Sequence, residues 1–397
     1  MVTERRFDQA RAALDAFRIE LPSWGFANTG TRFGKFIQAS AATTTEEKIA
    51  DAGVVHRFTG CCPSVAVHVL WDFPNGVADV PAVMRAAADN GVRIGAINPN
   101  VFQDQCYKNG SLCNPDAEVR RMALAHILDS IEIQRKTGSR DLSLWFADGI
   151  SYPGSGSIRA RRDCLLEGLR TVHAALGGEQ RMLVEYKPFE PAFYATDIAD
   201  WGMSYICCKH AGERAKVLVD TGHHYQAQNI EQIVAWLLSE RMLGGFHFND
   251  RRYADDDLTL GSMDPYQVFR IFHEICFYTW ETGEAPDVAY MVDQSHNLKN
   301  KIEETIQTAN NAQELFAKAA LVDHDKLASY QEDGELIDAE ETLREAFFTD
   351  VRPLLREWRA AKGLAADPMA AFRASGYLQE AERKRGERNR RAVSSYA

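Results

Sequence analysis

The sequence predicts an α/β fold, a (β/α)8 TIM barrel with a C-terminal helical extension, and three observations carry that prediction. Eight short apolar or β-branched runs recur before Asn300. Amphipathic stretches separate them, which is the pattern of parallel strands each covered by a helix. After Asn300 no further strand is evident, and the chain reads as charged amphipathic helices.

The runs fall at Arg18–Ala27, Val65–Trp71, Val92–Ile97, Leu142–Phe146, Met182–Tyr186, Val217–Asp220, Gly244–Phe248 and Val288–Val292. A charged helical pattern over Thr3–Arg18 precedes the first. Apolar residues returning at three and four positions predict helices at Ala117–Arg135, Ser157–Leu176 and Ile230–Arg241. Eight such units are enough to close a barrel over residues 1–300. Residues 301–397 form the extension, with helices expected at Ile302–Ala319 and Ala339–Gly363. Their apolar stripes have no core of their own, so they must pack on the barrel or on another subunit, and an oligomer is the economical expectation.

Composition bounds the function. With 397 residues, 45% apolar and 25% charged, the chain is of globular type. A formal charge of −11 disfavours phosphate backbones, so no nucleic acid partner is expected. No run reaches the roughly 18 apolar residues that a membrane span needs, and no basic-then-apolar leader opens the chain; a soluble, cytoplasmic protein without a membrane partner is expected. The eight cysteines include no C-x-x-C pair and read as buried thiols. The basic cluster Arg383, Lys384, Arg385, Arg388, Arg390 and Arg391 reads as a solvated helix face or a frayed tail.

Barrel enzymes carry their reactive groups at the C-terminal ends of strands. Here strand five ends in Glu185-Tyr-Lys187, strand six in Asp220-Thr-Gly-His223-His224, strand seven in His247-Phe-Asn249 and strand eight in Asp293-Gln-Ser-His296, while the loop after strand seven adds Asp255-Asp256-Asp257. Any one of these acids alone is more often a helix cap or a surface charge. Five acid or histidine groups stand at consecutive strand ends, and carboxylates placed together there repel unless something neutralises them, which divalent cations do best. Glu185, Asp220, His247 and Asp293 can converge on one ion. His223, Asp255 and Asp257 can hold a second, with Asp220 bridging. Oxygen-rich sets with one imidazole favour Mn²⁺, Mg²⁺ or Co²⁺.

Lys187 shares a strand face with Glu185 and can polarise a substrate oxygen, or else pair with a neighbouring acid. His68 and Trp71 end strand two, and Trp145 with Asp148 ends strand four. Tryptophan faces stack on sugars and His68 can move a proton at a ring oxygen, although tryptophan also fills cores.

At this point the residues resemble a known family, the L-rhamnose isomerases of the Pseudomonas type, themselves similar to xylose isomerase. The likeness spans about residues 15 to 300. It is carried by Gly30-Thr-Arg-Phe33, Val55-His-Arg-Phe-Thr-Gly60, His68-Val-Leu-Trp71-Asp72, Leu144-Trp-Phe-Ala-Asp148-Gly149, Glu185-Tyr-Lys187, Val219-Asp-Thr-Gly-His-His224, Gly244-Gly-Phe-His247-Phe-Asn249 and Tyr253-Ala-Asp-Asp-Asp257-Leu258. The resemblance implies a structural ion on Glu185, Asp220, His247 and Asp293, a catalytic ion on Asp220, His223, Asp255 and Asp257, and manganese as the metal at both. It implies Lys187 near the substrate's O1 and O2, His68 assisting ring opening, and Trp71, Trp145 and Phe189 lining the pocket. It also implies a homotetramer in which Phe33 reaches a neighbouring site.

The expected function is therefore L-rhamnose isomerase, an aldose–ketose isomerase converting L-rhamnose to L-rhamnulose, and also D-allose and D-psicose. Its catalytic set would be Asp257, Lys187, His68 and Asp293. Ions chelating O1 and O2 would favour a hydride shift over an enediol route, because Glu185, the obvious base, is committed to metal. Rivals on the same barrel are a ketose 3-epimerase, which would show one metal and two flanking glutamates, a metal-dependent phosphodiesterase or apurinic endonuclease, which would want a basic face, and a non-catalytic sugar-binding protein.

Overall fold

A computed structural model describes residues 3–28, 36–150, 152–189, 196–295 and 298–391. The chain opens with α1 (Glu4–Ala16) and β1 (Leu21–Pro22), then α2 (Thr45–Thr59), β2 (Ser64–His68), α3 (Val69–Asp72), α4 (Val80–Asp89), β3 (Arg93–Asn98), α5 (Ala117–Thr137) and β4 (Asp141–Leu144). It continues through α6 (Ile158–Ala175), β5 (Arg181–Glu185), α7 (Trp201–Ala211), β6 (Ala215–Asp220), α8 (Ile230–Ser239), β7 (Leu243–Phe248), α9 (Pro265–Thr282) and β8 (Ala289–Val292). All eight strands are parallel and hydrogen-bonded in sequence order. Glu20 closes the ring: its N–H donates to Tyr290 O at 2.8 Å and its carbonyl accepts from Val292 N at 2.9 Å.

Strand alternation places every second residue inside the barrel. Val65, Val67, Met182, Val184, Val217, Val219, Phe246 and Phe248 face the helices and join the main core. Ala66, Ala96, Leu183, Leu218 and Met291 meet inside the barrel with Trp24. Two residues beyond Leu183, Leu218 and Met291 come Glu185, Asp220 and Asp293, so the same face that packs the interior delivers the acids to its C-terminal mouth.

The first strand is shorter than expected. Only Leu21–Pro22 pairs as strand, and Ser23–Phe26 winds into a 3₁₀ turn. Pro22 has no N–H to extend the ladder, so the chain turns inward there and Trp24 enters the barrel mouth.

The helix α10 (Lys301–Ala320) packs on α9, α1 and α2, beside the last strand. Asn300, where the sequence pattern changes, caps it by accepting from Ile302 N and Glu303 N. Then follow α11 (His324–Asp333), α12 (Leu336–Phe348), α13 (Arg352–Ala361), α14 (Pro368–Ala374) and α15 (Tyr377–Arg391). The single helix expected over Ala339–Gly363 is two, because Thr349 is extended and Pro353 in the first turn of α13 cannot continue α12. The basic tail is also less solvated than expected. Arg385 is buried and donates to Asp51 Oδ2 at 2.7 Å and Ser40 O at 2.9 Å, while Asn389 donates to Ala39 O and Ala41 O. These bonds clasp α15 to α2, so the extension docks on its own barrel. No helix among the described residues is long and apolar enough to cross a membrane.

Candidate active site

Ligand atoms of Glu185, Asp220, His247 and Asp293 all lie within 4.8 Å of one another at the C-terminal mouth, as do those of Asp220, His223 and Asp255, so Asp220 belongs to both groups. His247 Nδ1 stands 3.2 Å from Glu185 Oε2 and 4.0 Å from both Asp220 Oδ2 and Asp293 Oδ2. His223 Nδ1 faces the Tyr186 carbonyl at 2.9 Å and Glu185 Oε1 at 3.1 Å. Its Nε2 points toward Asp255 Oδ2 at 3.3 Å and Asp220 Oδ2 at 3.9 Å.

The supporting bonds aim each carboxylate. Asp220 Oδ1 accepts from Gly222 N at 2.6 Å and from Asn249 Nδ2 at 2.9 Å, which turns Oδ2 into the cluster. A Cβ on Gly222 would lie 2.4 Å from Asn249 Oδ1, so only glycine allows this approach. Trp24 Nε1 donates to Asp293 Oδ1 at 2.8 Å. Behind His223, the Tyr186 hydroxyl meets His224 Nε2 at 2.7 Å in a buried pair.

The electrostatics are those of a site short of positive charge. Burial, opposed by His223 and reinforced by Asp255, Glu185 and Asp293, pushes the Asp220 carboxyl up to about 7. Burial works against the Glu185 carboxylate, yet His247 and His223 hold it down at about 2. Burial alone would lower His247, but Glu185, Asp293 and Asp220 outweigh it and raise it to about 9. Four carboxylates thus draw protons onto both imidazoles, with Lys187 Nζ on Asp255 Oδ2 at 2.7 Å as the adjacent fixed cation.

A divalent cation fits this donor set. Asp220 Oδ2 is buried without a hydrogen-bond donor. The contact of His223 Nδ1 with a carbonyl leaves Nε2 as the coordinating nitrogen, the usual arrangement of a ligand histidine. The residues that would hold cations are Glu185, Asp220, His247 and Asp293, and then Asp220, His223 and Asp255.

An aromatic wall flanks the cluster. His68 sits between Trp24 and Trp71, with centroids at 4.7 and 4.2 Å, and Phe102 bridges to Trp145 at 5.0 Å. Lys187 Nζ lies 5.5 Å over the Trp145 ring. Burial lowers His68 to about 3, so it stands neutral at pH 7. Phe189 is partly exposed on the rim, its ring tilted against Tyr225 at 6.1 Å between centroids, and lines a small cavity with Lys187, His223 and Asp255.

Asp257 follows Asp255 on the same loop in a left-handed conformation with φ 50°, a backbone that aspartate tolerates. Asp148 turns away from the mouth to accept from Ser111 N, Ser111 Oγ and Cys113 N, so it holds a loop. Phe33 and His296 lie outside the described residues. Sequence reasoning did not single out Trp24, Phe102 or Asn249 for the site. For Asn249 a signal existed, since it stands two residues after His247.

These features define a (β/α)8 barrel with a cation-ready cluster of acids and histidines at its catalytic end. The family described as xylose isomerase-like TIM barrel matches residues 65–311, and the chain belongs to that family. A probable sugar isomerase of Mesorhizobium japonicum is 40% identical over 375 residues, covering 93% of this chain and 86% of the relative. A probable sugar isomerase of Rhizobium meliloti is 39% identical over the same shares. Among solved structures, L-ribulose 3-epimerase superposes with a TM-score of 0.52 at 14% identity, over 81% of this chain and 98% of that one, which is a likeness of fold.

Proposed function

We propose that this chain is a metal-dependent aldose–ketose isomerase that converts L-rhamnose to L-rhamnulose and acts on related sugars such as D-allose. The observation that carries the reading is the sharing of Asp220 between two groups of converging ligand atoms. Two such groups suit two ions, for which Mn²⁺ is the first choice and Co²⁺ or Mg²⁺ the alternatives. Support also comes from relatives named as probable sugar isomerases along nearly the whole chain.

Bound divalent cations supply Lewis-acid polarisation of a carbonyl and of a neighbouring hydroxyl. The chain's own residues do the rest. Trp71, Trp145 and Phe102 offer apolar faces to the sugar and exclude water. Lys187 can turn its ammonium from Asp255 to the substrate oxygen at C1 or C2. Neutral His68 accepts a proton as the ring opens. Glu185 is turned to both imidazoles and is poorly placed to take a proton from carbon. Hydrogen then passes from C2 to C1 without exchange.

The reading over ketose 3-epimerisation is supported by Glu185 being the single glutamate in the converging groups among the described residues. The test is a panel of aldoses and ketoses incubated with Mn²⁺-supplied protein, with products separated by chromatography. L-Rhamnulose from L-rhamnose is expected. No ketose from any aldose would overturn the proposal, and conversion of a ketose only to its C3 epimer would assign the rival activity. Isomerisation of C2-deuterated aldose in water should retain label at C1.

A further inference from the structure

Far from the barrel mouth, α13, α10 and the segment leading to α14 enclose a cavity of about 170 Å³. Arg352, Arg356 and Arg359 line it at spacings of four and three along α13, so their side chains share one helix face. Across from them stand Asn310, Glu314 and Asp367.

Arg359 is the unusual member. It is 6% exposed, and its guanidinium makes no ion pair with any described carboxylate. Its Nη2 donates to Asn310 Oδ1 at 2.9 Å and Gln313 Oε1 at 2.7 Å, and its Nη1 to Ala366 O at 3.4 Å, all neutral acceptors. Its Nε is buried with no acceptor. Burying an unpaired charge and an unmade donor is costly, and native chains seldom keep both without a counter-ion. The two acids are engaged otherwise: Glu314 pairs with Lys318 at 3.4 Å, and Asp367 Oδ1 caps α14 by accepting from Ala370 N at 3.0 Å. Arg352 is paired with Asp350 at 2.7 Å, whereas Arg356 enters no ion pair with a described residue.

We propose that this cavity is a binding site for a phosphate dianion, either free or as the terminal group of a small phosphomonoester. Arginine forks suit tetrahedral oxyanions because two parallel N–H groups meet two oxygens. The anion would take its charge partner from Arg359 and a second fork from the exposed Arg356. Nothing in this arrangement touches the acids and histidines of the barrel mouth, so the site stands apart from the proposed catalysis.

The test uses the full chain, with Mn²⁺ present, titrated calorimetrically with inorganic phosphate and separately with a hexose phosphate, at constant ionic strength kept with chloride. Saturable binding is expected, weakened at least about tenfold in Arg356→Gln. Isomerase activity without phosphate should be the same in that variant as in the parent chain. Arg359→Gln should bind no phosphate; if it fails to fold, Arg356→Gln and Arg352→Gln carry the comparison. Tighter binding of the hexose phosphate would assign the phosphomonoester, and equal binding the free ion. Absent saturation, or binding unchanged in Arg356→Gln, would overturn the proposal.

Discussion

The two ends of the barrel handle their acids in opposite ways. At the N-terminal end Asp141 is paired with Arg181, Asp287 with Arg140 and Arg181, and the Glu20 carboxylate accepts from Ala96 N at 2.7 Å. Gly95 makes room for Glu20, whose oxygen would lie 1.6 Å from a Cβ there. Each of these acids has a partner supplied by the chain itself. At the C-terminal end Glu185, Asp220, Asp255 and Asp293 crowd around two histidines and one lysine. The difference teaches which charge is structural and which is kept for something the chain must acquire.

That contrast can be broken by mutation, and the largest effect falls at the shared carboxylate. Asp220→Asn should lower isomerisation by on the order of 10³-fold, since Lewis-acid charge stabilisation is worth several kcal/mol, while the thermal midpoint of the metal-free variant holds or rises. Loss of stability without loss of rate per folded molecule would reverse the assignment. At the other end Arg181→Met should cost about 1.5–3 kcal/mol in urea unfolding, because it strips the partly buried Asp141 of its charged donor, with the rate of the folded fraction unchanged.

Protonation sharpens the comparison further. His247 is raised to about 9, so the metal-free chain holds a proton there at pH 7 that a cation must displace. The sign follows: apparent Mn²⁺ affinity rises as pH rises toward 9, by up to about tenfold per unit for each proton displaced. Calorimetry in buffers of different ionisation enthalpy would read the released protons, and an affinity flat from pH 6 to pH 9 would count against the site. Trp24→Phe removes the donor to Asp293 and should weaken metal binding about tenfold, the scale of a lost supporting bond. Arg388→Ala breaks only a half-exposed pair with Glu47 and should change stability by less than about 1 kcal/mol.

Much of this was legible in the sequence, for local reasons. The runs for β5 to β8 are short, apolar and followed at once by Glu185, Asp220, His247 and Asp293, and a period of two decides which face those residues share. Lys187 pairs with Asp255, the second of its two sequence readings, and also lies over Trp145, a contact the sequence does not announce. Other features depend on contacts between distant segments. Trp24 reaches Asp293 only because the first strand stops at Pro22 and lies next to the eighth in the closed ring. Asp148 follows a strand like the other acids, yet the loop at Ser111–Cys113 captures it. Arg385, one basic residue in a run of them, is singled out only by Asp51 across the helix interface. No periodicity announces such partners.

The central claim is that the acids at the C-terminal end are kept for divalent cations, and metal stoichiometry tests it most directly. Native mass spectrometry of the chain after Mn²⁺ loading and desalting should show two ions retained per chain, and fewer in Asp220→Asn. A parent chain that retains none, or an Asp220→Asn chain that retains the full complement, would contradict the account.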